Sequence, residues 1–222
     1  MATSGTKTFS LDTAAVMEEA YELAGLELRT GYDAVTARRS LNIMFSDWAN
    51  RGVNVWTIAQ VNFTVTEGTA NYTLNSYDID ILDAVLRRTI GSTVTDIQLT
   101  SIGREEYLNI PTKETKGRPI EYFLDRQTTP VLYLWPTPEN STDIVVSNRI
   151  QRIDDISASV NDPDVPSRFM APMVSGLAFY LAVKKNPERI AILKPMYEED
   201  FARAVAGDQG RTSLHLVPSR MN

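Results

Sequence analysis

The spacing of apolar residues changes twice along the chain, and these changes constrain the fold more than any other feature. Up to about residue 52, apolar residues recur every three or four positions, as in Ala14, Met17 and Tyr21. From Val53 the period becomes two, and after about residue 156 the helical spacing returns. The first pattern is typical of amphipathic helices and the second of half-buried strands. The sequence therefore predicts an α+β fold in which terminal helices form an α-helical bundle, with an inserted antiparallel β domain that is a small sandwich or barrel.

Two helices are predicted before the β domain. Residues 12–28 carry one apolar face and form the first helix. Thr30 followed by Asp33 is a capping signal for the second helix, which runs through Trp48 to a C-terminal cap at Gly52. Two such helices cannot bury both apolar faces by themselves, so we expect another element or another subunit to cover them.

The β domain is predicted from short segments of alternating polarity that Gly, Pro or Asn residues separate. These segments are residues 61–65, 72–74, 79–89, 93–99, 120–125, 131–135 and 143–153. The short connections favour antiparallel pairing, because parallel strands need long crossovers. A short helix is expected near residues 102–108. The stretch LYLWPTPENSTD, residues 132–143, is interpreted as a buried strand that leaves the sheet through a proline turn.

Helices return in the C-terminal part of the chain. Pro166 opens the first of them, and Asn186 and Pro187 separate it from a last helix that reaches about Ala206. Pro195 lies inside the last helix, where it removes a backbone hydrogen bond and clashes with the preceding turn. We therefore expect a kink or a break at this residue.

Residues 208–222 show no helical period and are predicted to form an extended C-terminal tail. Leu214, Leu216 and Val217 alternate with polar residues, and such a segment can add to the sheet edge of a partner or lie in its groove. We divide the chain into residues 1–52, the N-terminal helical part of the bundle; 53–156, the inserted antiparallel β domain; 157–207, the C-terminal helical part of the bundle; and 208–222, the tail for partner docking.

Charge and composition argue against several classes of function. The 222 residues carry a net charge of −6, so the chain has no overall positive field that would bind phosphate backbones. The absence of cysteine excludes disulfides and thiolate metal sites and fits a reducing cytosol. The longest apolar stretch, residues 176–183, is too short to cross a bilayer, and no signal peptide is visible. We expect no contact with membranes.

No motif in the sequence points to catalysis. The lone histidine, His215, lies in the tail without the rigid scaffold that a catalytic triad needs. One histidine and no cysteine do not provide a zinc site, and the glycine-rich phosphate-binding motifs are absent. We therefore expect no enzymatic activity, no cofactor and no metal.

Five segments, taken in order, carry a resemblance to a known family. They are LNIMFSDWANRGVNVWTI, YDIDILDAV, GRPIEYFLDRQTTPVLYLWPTPENS, VPSRFMAPMVSGLAFYLAVK and YEEDFARAVAGDQGR. Together they resemble the head-to-tail adaptor proteins of short-tailed bacteriophages, which are also described as head completion, tail accessory or packaged-DNA-stabilisation proteins. The similarity extends from about residue 12 to residue 211.

The resemblance implies a structural virion protein, made in the host cytoplasm and located at the neck of the particle. Such adaptors form a homo-oligomeric ring, commonly a dodecamer, under the portal protein, and they bind the tail nozzle or tube. Packaged DNA passes through the channel without specific binding. The resemblance also implies that the tail reaches along the portal, which makes the following residues candidates for portal contact: Arg211, Leu214, His215, Leu216 and Val217.

Two other functions remain open at this point. The first is another structural component of a phage tail. The second is a carbohydrate-binding β module that uses exposed aromatic residues as stacking platforms, with calcium at a cluster of aspartates. The aromatic candidates are Trp56, Tyr72, Tyr107 and Tyr133, and the aspartate clusters are Asp78, Asp80 and Asp83, and Asp154, Asp155, Asp162 and Asp164. Neither cluster follows the EF-hand spacing, the required glycine is missing, and solvated loops and a helix cap are the favoured explanation for both.

Overall fold

The structure is a computed structural model that describes residue 5 and residues 11–53, 55–158 and 161–208. The fold is mixed α+β, with antiparallel sheets and C-terminal helices, as the sequence predicts. The chain divides into two compact units. The helical unit contains the described residues up to Val53 and those from Asp154 onward, and the β unit contains residues 54–153.

Five α-helices are present in the described part of the chain: α1, Thr13–Leu23; α2, Gly31–Asn50; α3, Arg104–Asn109; α4, Met170–Lys185; and α5, Ile190–Asp208. Helix α3 belongs to the β unit and the other four belong to the helical unit. Helices α4 and α5 pack against each other, and α1 and α2 both pack against α4. Helix α4 is therefore the central helix of the helical unit.

Local sequence signals explain where α1 and α2 begin and end. Asp12 caps α1 by accepting a hydrogen bond from the backbone N–H of Ala15 at 2.7 Å. Helix α1 ends at Leu23, earlier than the predicted residue 28, because Gly25 has a φ of 66° that does not continue a helix. The predicted capping box of Thr30 and Asp33 is confirmed at the start of α2.

The core of the helical unit is apolar and rich in aromatic rings. The Trp48 ring lies 5.6 Å from the Phe169 ring and 5.8 Å from the Phe201 ring, measured between centroids. The indole N–H of Trp48 donates a hydrogen bond to the Tyr197 hydroxyl at 2.8 Å, so the two buried polar atoms satisfy each other. A Cβ at Gly176 would lie 2.5 Å from the sulfur of Met44 and 2.7 Å from the Tyr197 ring, so this position requires glycine for close packing.

Helix α5 continues through Pro195, so the predicted break at this residue is wrong. Leu193 and Tyr197, on either side of the proline, are buried. We infer that their packing offsets the one backbone hydrogen bond that proline removes. The prediction of a kink at Pro195 stays a prediction.

The strands of the β unit are β1, Ile58–Thr64; β2, Asn71–Thr73; β3, Asp78–Ile90; β4, Thr93–Gln98; β5, Thr100–Ser101; β6, Lys116–Gly117; β7, Glu121–Asp125; β8, Val131–Trp135; β9, Thr137–Pro138; and β10, Ile144–Gln151. Each predicted strand coincides with one of them. The three two-residue strands β5, β6 and β9 were not predicted, because segments of this length carry no periodicity.

Eight of the ten strands in the described residues form two four-stranded sheets. The first has the order β1-β10-β3-β4 and is antiparallel throughout. The second has the order β2-β8-β7-β5, in which β5 pairs with β7 in parallel. Strands β6 and β9 form a separate parallel pair. Parallel pairing is thus limited to two short bridges.

One apolar cluster draws side chains from both sheets, so the sheets share a core. The first sheet contributes Ile81, Leu86 and Val145, and the second contributes Leu132 and Leu134. In β8, the leucines alternate with residues whose side chains are only half-buried. The segment LYLWPTPENSTD therefore provides a core strand, as predicted, followed by a cis peptide bond before Pro136 and the short strand β9.

Candidate interaction surfaces

The predicted portal-contact residues all fall in the part of the chain that the structure does not describe. Arg211, Leu214, His215, Leu216 and Val217 lie outside the described residues, which end at Asp208. Their contact with a portal stays a prediction.

A groove with a volume of about 630 Å³ lies on the helical unit, between α1, α4 and α5. We call it the acidic groove. Its larger apolar lining residues are Leu11, Leu23, Met170, Val174 and Met196. Leu11 and Met196 are exposed. The groove is a concave apolar surface that the described part of the chain leaves uncovered.

Carboxylates also line the acidic groove. Glu18, Glu19 and Glu22 are on α1 and exposed, and none of the described residues forms an ion pair with any of them. Asp200, on α5, is buried and pairs with Arg203 at 2.6 Å. The groove therefore combines apolar contact area with an uncompensated negative field, a combination suited to a segment that is both apolar and basic.

The turn between β3 and β4 forms a second apolar surface, on the β unit. We define the hairpin tip as residues 90–94. Ile90 is 72% exposed and Val94 is 56% exposed, whereas Gly91 has the positive φ, 61°, that a two-residue turn requires. Strand β4 is an edge strand of the first sheet. An exposed edge with apolar side chains can pair with another chain.

Several cations of the β unit are neutralised by carboxylates of the same unit. Arg88 lies 2.7 Å from Asp143 and 2.9 Å from Glu139, and Arg87 lies 2.7 Å from Asp96. Burial alone would raise the pKa of Asp143, but hydrogen bonds from Arg88 and Asn140 outweigh it and lower the pKa. These arginines are engaged within the protein and are poorly placed to attract phosphate.

A further ion pair is buried in the β unit. The Arg149 guanidinium on β10 donates to Asp78 on β3 at 2.8 Å, and the two side chains are 3% and 2% exposed. Ser147 and Gln151 add hydrogen bonds to Arg149 and Asp78, respectively. Because both charges already have partners inside the protein, this pair has a structural role and is not available to bind a ligand.

The aspartate clusters do not form a metal centre within the described residues. No group of three or more acidic or histidine side chains among these residues is arranged to hold a metal ion. In the first cluster, Asp78 pairs with Arg149, Asp80 pairs with Arg126 at 2.6 Å, and Asp83 accepts a hydrogen bond from Asn148. Each carboxylate thus has its own partner in the protein.

Three of the four candidate stacking rings, Tyr72, Tyr107 and Tyr133, contact other rings of the protein. The Tyr72 ring lies 4.9 Å from the Phe63 ring, and its hydroxyl is hydrogen-bonded to the backbone of Thr66. Tyr107 and Tyr133 pack against each other with 5.2 Å between ring centroids, and both contact Phe123. All four predicted aromatic residues, including Trp56, are half-buried. The arrangement favours a structural role for these rings over carbohydrate stacking.

Sequence reasoning did not identify the acidic groove or the hairpin tip as surfaces. Periodicity assigns an apolar residue to a face of a helix or strand, but it does not show which faces remain uncovered after folding. The glycine of the two-residue turn between β3 and β4 was the one available signal for the hairpin tip. Among the described residues, none of the helices is long and apolar enough to cross a membrane.

Comparison with known proteins places the chain in a family. A family model described as SU10 adaptor protein matches residues 20–220, a range that covers the β unit and most of the helical unit. A search of curated proteins finds no match. The matched family is one of structural proteins of bacteriophages, which confirms the resemblance found in the sequence. The chain belongs to the SU10 adaptor protein family and is a structural adaptor protein of a phage particle.

Proposed function

We propose that the protein forms a ring at the neck of a short-tailed phage, where it joins the portal to the tail nozzle or tube and helps to retain packaged DNA. The observation that carries this proposal is the family match over residues 20–220. An adaptor works in contact with head and tail proteins, and the acidic groove and the hairpin tip are surfaces available for such contacts. A dodecamer would match the twelvefold symmetry expected of a portal ring.

We further propose that residues 1–52 and 157–207 form one helical bundle into which the β domain, residues 53–156, is inserted, with residues 208–222 as the docking tail. Hydrogen bonds between the two ends of the chain support the bundle. Besides the Trp48–Tyr197 bond, the Lys184 ammonium donates to the Ser40 hydroxyl at 2.8 Å, and the Asn186 side-chain amide donates to the carbonyl of Ala24 at 2.9 Å.

The charge distribution is compatible with a channel that DNA crosses without being held. Binding to phosphate depends on cations that are free to replace counterions. Arg87 and Arg88 on β3 are paired with carboxylates, and the chain as a whole carries a net charge of −6. Walls of this kind would add little friction to the passage of DNA.

The test is to mix the protein with the portal ring from the same genome and to analyse the product by size-exclusion light scattering and negative-stain electron microscopy. We expect an additional ring of density beneath the portal, and the mass gives the number of subunits. A bare portal beside folded protein would contradict the proposal and would direct attention to the tail-component and carbohydrate-binding functions.

The proposed portal contact of the tail has its own test. Deleting residues 208–222 should leave the described fold intact and weaken portal binding. The double variant Leu214→Ser/Leu216→Ser is more selective, and we expect it to weaken binding at least about tenfold, because burial of one leucine contributes about 1.5–3 kcal/mol. The matched control Thr212→Ala/Ser219→Ala, in the same segment, should bind normally. Unchanged affinity of the leucine variant would remove the tail from the mechanism.

A further inference from the structure

The acidic groove offers a site whose chemistry matches a specific segment of the same chain. Residues 209–222 contain Arg211 and Arg220, no acidic residue, and the apolar residues Leu214, Leu216 and Val217. The groove presents apolar side chains from three helices together with Glu18, Glu19 and Glu22. An apolar, basic segment therefore meets an apolar, acidic groove, and both the hydrophobic and the electrostatic contributions are favourable.

The segment also begins within reach of the groove. Helix α5 ends at Asp208, and the groove includes Asp200 and Met196 on the same helix. The rise from Asp200 to Asp208 is roughly 12 Å, which about four extended residues can span in the return direction. Fourteen residues follow Asp208, so the chain has enough length to turn back and cross the groove.

We propose that residues 209–222 bind in the acidic groove of their own helical unit before the protein meets its partners. Attachment through α5 gives the segment a high effective concentration at the groove, so weak contacts suffice to hold it there. The same apolar residues are those proposed to contact the portal. Binding in the groove would cover them in the free protein, and portal binding would compete with the groove for the same segment.

Disulfide trapping in the full-length chain tests this inference, because the native sequence contains no cysteine. The variant Met196→Cys/Leu216→Cys places one thiol in the groove and one in the segment. The matched control is Ile43→Cys/Leu216→Cys, because Ile43 is exposed on α2 and does not line the groove. Under mild oxidation we expect an intramolecular disulfide that forms at least about tenfold faster in the groove variant than in the control, as expected for a bound segment.

The charges provide a second comparison. Adding Glu18→Gln and Glu22→Gln to the groove variant should slow disulfide formation several-fold, because these carboxylates attract Arg211 and Arg220. Equal rates in the groove variant and the control would overturn the inference. Disulfides that form only between two molecules would also overturn it, because they would show that a second copy occupies the groove. The experiment requires no portal, so its outcome is independent of the adaptor function.

Discussion

The helical unit and the β unit bury their polar groups in different ways. In the helical unit, the aromatic core contains a neutral hydrogen bond between Trp48 and Tyr197. In the β unit, both partners of an ion pair are buried, because Arg149 and Asp78 are almost completely inaccessible to solvent. The helical core therefore depends mainly on packing, whereas the β unit depends also on the simultaneous presence of two charged partners.

The position of the buried ion pair suggests why the β unit retains it. The pairing of β10 with β3 shifts in register between Asn148 and Arg149 and again between Ile150 and Gln151. Because the pairing is irregular, the backbone hydrogen bonds alone do not fix one register of β10 against β3. A buried ion pair that forms in one register only can supply the missing specificity.

The largest effect is expected from Arg149→Met. This change leaves the Asp78 carboxylate buried without its cation and should lower the free energy of unfolding by about 3–5 kcal/mol. Urea unfolding, combined with amide hydrogen exchange, measures the loss and shows whether it occurs in the β unit. The double variant Arg149→Met/Asp78→Asn should recover part of the stability. If the single and double variants were equally destabilised, the lost packing of Arg149 would be the cause. The buried charges would then not distinguish the β unit from the helical unit.

The neutral pair in the helical unit should respond less strongly. Burial raises the pKa of Tyr197 to about 12, so its hydroxyl is protonated at neutral pH and accepts from Trp48. Tyr197→Phe leaves the Trp48 N–H unpaired and should cost about 1–3 kcal/mol in urea unfolding. Tyr32→Phe, at a ring that is 72% exposed, is the control and should change stability by no more than about 0.5 kcal/mol. If Tyr197→Phe lowered the free energy of unfolding as much as Arg149→Met, the neutral hydrogen bond and the buried ion pair would be equally important for stability.

A smaller net effect is expected from Gly176→Ala, which tests how closely the helices pack. The added Cβ would overlap Met44 and Tyr197, and overpacking of this kind costs about 1–3 kcal/mol. The higher helix propensity of alanine offsets up to about 1 kcal/mol of this cost. Gly207→Ala, at a helical glycine with no atom within 4 Å of the added Cβ, should instead be neutral or stabilising in thermal unfolding. Stabilisation by both substitutions would show that the core of the helical unit is loosely packed.

The smallest effect is expected on the acid side of the stability profile. The pKa of Asp143 is lower in the folded protein than in the unfolded chain, where it is about 3.9. The ionised carboxylate therefore stabilises the fold above this unfolded pKa, and the stabilisation is lost as the pH falls through the folded pKa. The contribution is modest, because burial opposes the hydrogen bonds from Arg88 and Asn140.

Urea unfolding between pH 5 and pH 3 measures this contribution. Asp143→Asn should lose less stability over this interval than the unmodified protein. Asp155→Asn, at an exposed aspartate without a described ion-pair partner, removes one carboxylate as a control and should follow the unmodified profile. Identical profiles for all three proteins would show that Asp143 does not contribute to acid sensitivity.

Local signals in the sequence account for most of the elements. The capping box of Thr30 and Asp33 and the alternating leucines of β8 act over a few residues, so they can be recognised without a structure. The apolar pattern predicted that α1 reaches residue 28, but the turn at Gly25 ends it at Leu23. A kink or a break was predicted at Pro195; the break is wrong, because α5 continues through this residue, and the kink stays a prediction.

The sequence by itself determined the order of helical and β segments and the family to which the chain belongs, since both depend on local patterns read in order. Only the tertiary structure decided which charges pair and which apolar faces remain open. Arg149 and Asp78 are 71 residues apart, and the acidic groove combines three helices from both ends of the chain. Contacts of this kind depend on how distant segments pack together, which periodicity along the chain does not encode.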